Sequence, residues 1–212
     1  MTTAKWITLE GLTEYNQAMQ IMSDYLQKII IDRTHPNVIL LLEHKDVYTA
    51  GLSYKPEELL TPGDIPVIYT HRGGKFTYHG PGQRVVYPII NLQNKPDIRQ
   101  YVRNLEQWII NSLAHYNIKA YLIKDLVGIW VDHPISGIPA KIAAIGVKVS
   151  KWVAYHGIAI NISTNINKFS NIIPCGINNY PVISMEEAGV NTNFEEFDKI
   201  LKGEFNKIFI QY

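Results

Sequence analysis

Three segments of the chain bring together residue types suited to covalent chemistry, beginning with the only cysteine, Cys175, in Asn171-Ile172-Ile173-Pro174-Cys175-Gly176-Ile177. Proline fixes one backbone torsion and glycine permits the next, so a cysteine between them is presented in a turn. A thiol becomes a useful nucleophile at neutral pH when a cation lowers its pKa or a base takes its proton, and a lysine can do either. The second segment, Gly137 to Lys148, places Lys141 at the head of an apolar strand, with small residues following it at Ala143, Ala144 and Gly146. Lysine is rarely buried without a purpose, and space beside it favours a ligand. Free cysteines are more often small core hydrophobes, and a lysine at a strand start more often points to water. Cys175 and Lys141 are a chemical pair only if the fold brings them together.

The third segment, His71 to Tyr87, crowds four glycines, two histidines and two arginines into a stretch entering a strand. Glycines allow left-handed torsions and close approach of a ligand to the main chain, and a simple hairpin does not need four. A phosphate loop fits poorly, because Gly-Lys-Ser/Thr is absent and no helical pattern follows. The plain alternative is a long polar loop.

These segments need a frame. Tyr15, Ala18, Met19, Met22, Tyr25, Leu26, Ile29 and Ile30 recur at three- and four-residue spacing, which predicts an amphipathic helix from about Thr13 to Arg33. The pattern returns near residues 97–116 and again from Phe194 to Phe209, where Thr192 and Glu195 suggest a capping box. Short β-branched runs at 38–42, 67–70, 85–90, 120–123, 127–131, 142–149 and 153–162 read as strands, several of them too close together to admit a helix. The expected fold is α+β, a single domain over 1–212 with a mixed or antiparallel sheet flanked by helices.

Composition narrows the function classes. Twenty Lys+Arg against nineteen Asp+Glu give a net charge of +1, so no overall field draws the chain to nucleic acid or anionic lipid. No apolar run is long enough for a membrane span, and the N-terminus has neither a signal-peptide core nor an Arg-rich leader, which gives a cytoplasmic expectation. One cysteine excludes an intramolecular disulfide and a multi-cysteine metal site.

With these residues in view, Arg72-Gly73-Gly74-x-x-Thr77-Tyr78-His79-Gly80-Pro81-Gly82-Gln83-Arg84-Val85-Val86-Tyr87 resembles the signature of the lipoyl(octanoyl) transferase family of lipoate biosynthesis. Two further blocks match in order: Gly128-Ile129-Trp130-Val131 leading to Lys141 through Lys148, then His156-Gly157-Ile158-Ala159-Ile160-Asn161 leading to Pro174-Cys175-Gly176. The resemblance covers most of residues 67–178 and implies the fold of the biotin and lipoate protein ligases. It implies a Cys175/Lys141 dyad, with acyl-binding elements at Arg72, Gly73, Gly74, Lys75, Phe76, Thr77, Tyr78 and His79, at Ala144, Ile145 and Gly146, and at Gly157, Ile158 and Ala159. The implied donor is octanoyl acyl carrier protein, and the implied acceptors are lipoyl domains of 2-oxoacid dehydrogenase complexes and the glycine cleavage H protein. No ATP, metal or other cofactor is needed, because a thioester already carries the activation. Since acyl carrier proteins are acidic, a basic rim of Lys75, Arg84, Lys148 and Lys151 is expected at the pocket mouth. The rival readings are an ATP-dependent lipoate or biotin ligase, for which a cysteine is unnecessary, a transferase whose donor is another octanoylated protein, and a non-catalytic acyl-binding or lipoyl-domain-binding module, which has no use for the dyad.

Overall fold

Seven strands build the main sheet of the computed structural model, which describes residues 4–174, 180–210 and 212. In chain order they are β1 (Lys5–Thr13), β2 (Val38–His44), β6 (Gln83–Asn91), β7 (Tyr121–Ile123), β8 (Leu126–Asp132), β9 (Pro139–Ser150) and β10 (Val153–Asn161), and their spatial order is β1-β2-β6-β10-β9-β8-β7. Only the β1–β2 pair is parallel, bridged by the helix α1 (Tyr15–Ile31); every other neighbour is antiparallel. A smaller sheet, ordered β4-β3-β5, comprises β3 (Val47–Ala50), β4 (Val67–Tyr69) and β5 (Phe76–His79).

The alternation of apolar side chains along β2 and β6 decides which helix covers which face. Val38, Leu40, Leu42, Val85, Tyr87 and Ile89 pack against Ala18, Met22, Leu26 and Ile29 of α1. The intervening Ile39, Leu41, Val86 and Ile90 turn to the opposite face, where α2 (Ile98–Ala114) and α3 (Phe194–Ile208) supply Tyr101, Leu105, Trp108, Phe197, Leu201 and Phe205. Both faces of β2 are thus covered, which is why Val38 to Leu42 is an unbroken apolar run. The small sheet carries its own cluster, in which Tyr48, Phe76 and Tyr78 meet Phe169 and Ile172.

The α+β expectation and the three helices agree with this architecture, and three strands went unread. β1 is an edge strand interrupted by a register shift at Gly11, whose φ is 68°, so its alternation breaks. β3 has four residues, and β5 lies within what reads as a polar loop. The cap of α3 is also one residue away from the Thr192/Glu195 box: Asn193 is the N-cap, and its side chain accepts from the Glu196 N–H at 2.9 Å.

Candidate active site

The space between the two sheets, past the N-terminal end of α1, is a slot in two compartments. The larger holds about 510 Å³ of empty space, open solvent at its mouth included. Its floor is the α1 face of the main sheet at Val85 and Tyr87 of β6, Gly157 to Ala159 of β10, and Ala144 to Gly146 of β9. Its other wall is the 72–75 loop together with Thr77 and His79. The smaller compartment shares Thr77, Ala144 and Ala159 with the larger and adds Lys141, Asn161, Pro174 and Val182.

Lys141 reaches this slot through an irregularity in β9. Residues three apart face opposite sides of a regular strand, yet Lys141 and Ala144 both line the smaller compartment. The register with β8 shifts between Ile129↔Ala143 and Trp130↔Lys141, so one extra residue, Ile142, is accommodated in β9 and points into the core. This bulge re-aims the lysine. Its side chain is buried, its ammonium lies 4.8 Å from the centre of the Trp130 ring, and it has no hydrogen-bond partner among the described residues.

The chain on both sides of the cysteine converges on the lysine. Ile173 donates its N–H to the Glu58 carbonyl at 2.7 Å, and Pro174 lines the same compartment as Lys141. Further along the chain, residues 181–183 bond to Lys141 itself: the lysine N–H donates to the Pro181 carbonyl at 2.8 Å, and the Ile183 N–H donates to the lysine carbonyl at 3.0 Å. The 181–183 segment thereby continues the sheet beyond the end of β10, whose last partner on β9 is Ala143. Cys175 lies outside the described residues.

The glycine-rich wall is organised by Arg72. Its buried guanidinium donates to the Thr49 carbonyl at 2.7 Å, the Gly73 carbonyl at 2.9 Å and the Lys75 carbonyl at 2.9 Å, and also to the Thr49 hydroxyl. Three backbone N–H groups, those of Gly51, Leu52 and Ser53, donate to the carbonyls of Lys75, Arg72 and Gly74. Contact this close requires Gly51: a Cβ there would stand 2.3 Å from the Gly74 oxygen.

Polar aromatic residues line the far end. His44 Nδ1 faces the Thr13 carbonyl at 3.1 Å and therefore carries the proton, so Tyr87 donates its hydroxyl to His44 Nε2 at 2.8 Å. His79 Nδ1 donates to Gln83 Oε1 at 2.7 Å, while the Gln83 amide donates to Asn161 Oδ1 at 2.9 Å. Burial pushes His44 and His156 down to about 4, and burial, with His44 and Arg72 nearby, holds His79 well below the usual imidazole range. All three imidazoles are neutral at physiological pH, and Arg72 is the fixed cation beside them.

The structure thus gathers Arg72, Gly73, Gly74, Lys75, Thr77, His79, Ala144, Ile145, Gly146, Gly157, Ile158 and Ala159 around the larger compartment and puts Lys141 in the smaller. Phe76 and Tyr78 are corrections: alternation along β5 turns both into the small sheet's own cluster, away from the slot. The expected basic rim also changes. The Lys75 ammonium pairs with buried Glu58, and Arg84 is buried against Asp198 at 3.1 Å under the Phe194 ring, lining a different groove. Tyr15, Tyr87 and His156 line the slot without having been singled out as site residues. For His156 a signal existed in the match at His156-Gly157, whereas nothing near Tyr15 marks it off from an ordinary helix residue. Among the described residues no group of three or more metal-binding side chains occurs, and no helix is long and apolar enough to cross a membrane.

The sequence matches the lipoyl protein ligase A/B catalytic domain over residues 14–206. The chain belongs to that family. Among its curated relatives, the octanoyltransferase of Rickettsia felis is 56% identical over 208 residues, covering 97% of this chain and 99% of the relative. The octanoyltransferase of Rickettsia massiliae is 55% identical over 212 residues, covering 99% and 100%. Solved structures share the fold at low identity. The bipartite lipoate protein ligase of Thermoplasma acidophilum superposes with a TM-score of 0.78 at 16% identity, covering 99% of this chain and 85% of that one. The biotin protein ligase of Aquifex aeolicus, solved with biotin and ATP, gives 0.59 at 13%, covering 98% and 71%.

Proposed function

We propose that this chain carries out octanoyl transfer in protein lipoylation as two half-reactions at the slot, with Cys175 as nucleophile and Lys141 as its partner. Octanoyl transfer is the activity for which the full-length Rickettsia relatives are named. The observation that carries the mechanism is the convergence on Lys141. Its ammonium has unspent donors, Pro174 lines the same compartment, and the 181–183 segment bonds to its backbone.

In the first half-reaction the thiolate of Cys175, favoured by the Lys141 ammonium, attacks the carbonyl of an octanoyl acyl carrier protein thioester. The C–S bond to the carrier's pantetheine breaks, its thiolate takes a proton from the Lys141 ammonium and leaves as the thiol, and the octanoyl group remains on the cysteine sulfur with Lys141 neutral. In the second, the amine of a lipoyl-domain lysine attacks this acyl-enzyme, forming the amide and returning the cysteine thiolate. Lys141 accepts the proton that the attacking amine gives up. The alkyl chain lies along the larger compartment, against Val85, Ala144 and Ala159. Backbone N–H groups of the 72–75 loop are candidate donors to the developing oxyanion. Lipoyl domains of 2-oxoacid dehydrogenase complexes and the glycine cleavage H protein are the proposed acceptors.

The test is one reaction mixture of octanoyl acyl carrier protein, a lipoyl domain and this protein, with and without ATP. Octanoylated lipoyl domain forming without ATP supports the reading. Product that forms only from free octanoate and ATP identifies a ligase and overturns it.

A further inference from the structure

Lys141 is held where it is by two residues on β8 that belong to neither the slot wall nor the dyad. Its stem passes over Gly128, where a Cβ would stand 3.0 Å from Lys141 Cε, 3.2 Å from Cδ and 2.9 Å from the Ala143 carbonyl oxygen. The Gly128 φ of 128° also lies where side chains are disfavoured. The ammonium then comes to rest 4.8 Å from the centre of the Trp130 ring. Trp130 is fixed on its other sides: its indole N–H donates to the Leu126 carbonyl at 3.2 Å, and the Tyr180 ring meets it edge to face at 5.4 Å. Tyr180 and Pro181 belong to the strand that bonds back to the Lys141 backbone. One indole therefore touches the lysine's charge on one side and the returning strand on another.

We infer that Trp130 is a positioning residue for Lys141: its ring face holds the ammonium in place of a hydrogen-bonding partner, and Gly128 opens the path to it. The chemistry gives this arrangement a use. A carboxylate partner would fix the proton on the lysine and occupy its donors. An aromatic face attracts the cation while occupying none of them, so all three N–H groups stay available to a thiolate or a tetrahedral oxyanion. Gly128-Ile129-Trp130 acquires a purpose on this account: alternation along β8 puts the space and the ring on one side of the strand, with Ile129 in the core between them.

This inference rests on the reading of Lys141 as the dyad's base, and the experiment separates the two. Full-length Trp130→Tyr, Trp130→Phe and Trp130→Leu are compared with wild type and with Lys141→Met in single-turnover acylation by octanoyl acyl carrier protein and deacylation by a lipoyl domain, across pH, with thermal melts alongside. In Lys141→Met the rising limb of deacylation with pH disappears; if it persists, the limb is not the lysine's and the dyad reading fails first. Given that control, removing the ring should slow acylation about tenfold and displace the limb from its wild-type position, with Tyr and Phe falling between. Gly128→Ala should slow acylation while leaving the limb where it is, because it displaces the stem and leaves the ring. Limbs coincident with wild type in every folded Trp130 variant, or rate losses that follow melting temperature alone, would overturn the role of Trp130.

Discussion

The two walls of the slot are built by different means. The strand wall, β9 and β10, is held by ladder hydrogen bonds, and its shape is cut by small residues: Gly157 brings β10 against β6 so closely that a Cβ would stand 2.3 Å from the Val86 carbonyl oxygen. The loop wall, residues 72–75, has no ladder. One buried guanidinium ties Thr49, Gly73 and Lys75 together, and the loop lies against β9 only loosely, with the Gly73 oxygen 3.5 Å from where a Gly146 Cβ would be. The strand wall therefore holds its form without any one side chain, whereas the loop wall adds to three backbone bonds from residues 51–53 the bonds of one side chain, Arg72. Chemistry that needs a fixed lysine and an adjustable cover over the acyl group maps naturally onto this division.

Arg72 offers the strongest way to break the comparison. Arg72→Ala removes the guanidinium bonds to the Thr49, Gly73 and Lys75 carbonyls, though the Lys75 carbonyl keeps the Gly51 N–H, and should lower stability by about 3 kcal/mol. Transfer should fall on the order of 100-fold as the wall moves from its place. Arg72→Lys should restore little, since a single ammonium cannot span acceptors on three residues. Denaturant titration and single-turnover rates check both effects, and an Arg72→Ala protein with wild-type rates would show that the loop wall is irrelevant to transfer.

Paired glycine substitutions sharpen the contrast. Gly157→Ala forces β10 away from Val86 and Pro88 and should cost roughly 1–3 kcal/mol through overpacking. Gly146→Ala meets only ordinary contacts and should fold normally. Gly146→Val then narrows the gap to the loop and should shift preference from octanoyl toward shorter acyl donors, read as a ratio of kcat/KM values. Equal tolerance at both glycines would remove the distinction between a tight wall and a loose one.

Acid acts on the far end of the slot. His44 and His156 have folded-state pKa values lowered to about 4 from 6.5, chiefly by burial, so between those limits the unfolded chain binds protons that the folded chain does not. Their effect on stability is nil above pH 6.5 and grows as pH falls, at roughly 1.4 kcal/mol per pH unit for each histidine. Urea midpoints at pH 7 and pH 5 should show the loss, and His156→Gln should flatten its share of the slope. The smallest effect belongs to the Lys75–Glu58 pair that tethers the loop wall to the 56–58 turn. Lys75→Met should cost about 1 kcal/mol by leaving the Glu58 carboxylate without its ion pair, with little change in acylation rate.

How far the sequence discloses all this follows the same division. Helices α1, α2 and α3 are legible because each buries one face at helical spacing, and β2 is legible because both its faces are buried. Lys141 and the small residues after it stand out because a charge heads an apolar strand. The extra residue at Ile142, which decides that Lys141 and Ala144 share a face, leaves no trace in the alternation of so apolar a run. Phe76 and Tyr78 were placed in the slot by their neighbours in sequence, and only the strand character of β5 turns them out. Arg84 and Lys75 look like surface cations until Asp198 and Glu58, distant in sequence, arrive beside them.

The most direct measurement is the intact mass of the protein after mixing with octanoyl acyl carrier protein alone, on the time scale of one turnover. The account predicts a single added octanoyl group on wild type, removed by hydroxylamine, transferred on adding a lipoyl domain, and absent from Cys175→Ser. A wild-type protein that transfers octanoate without ever carrying it, or an adduct that persists in Cys175→Ala, would contradict it.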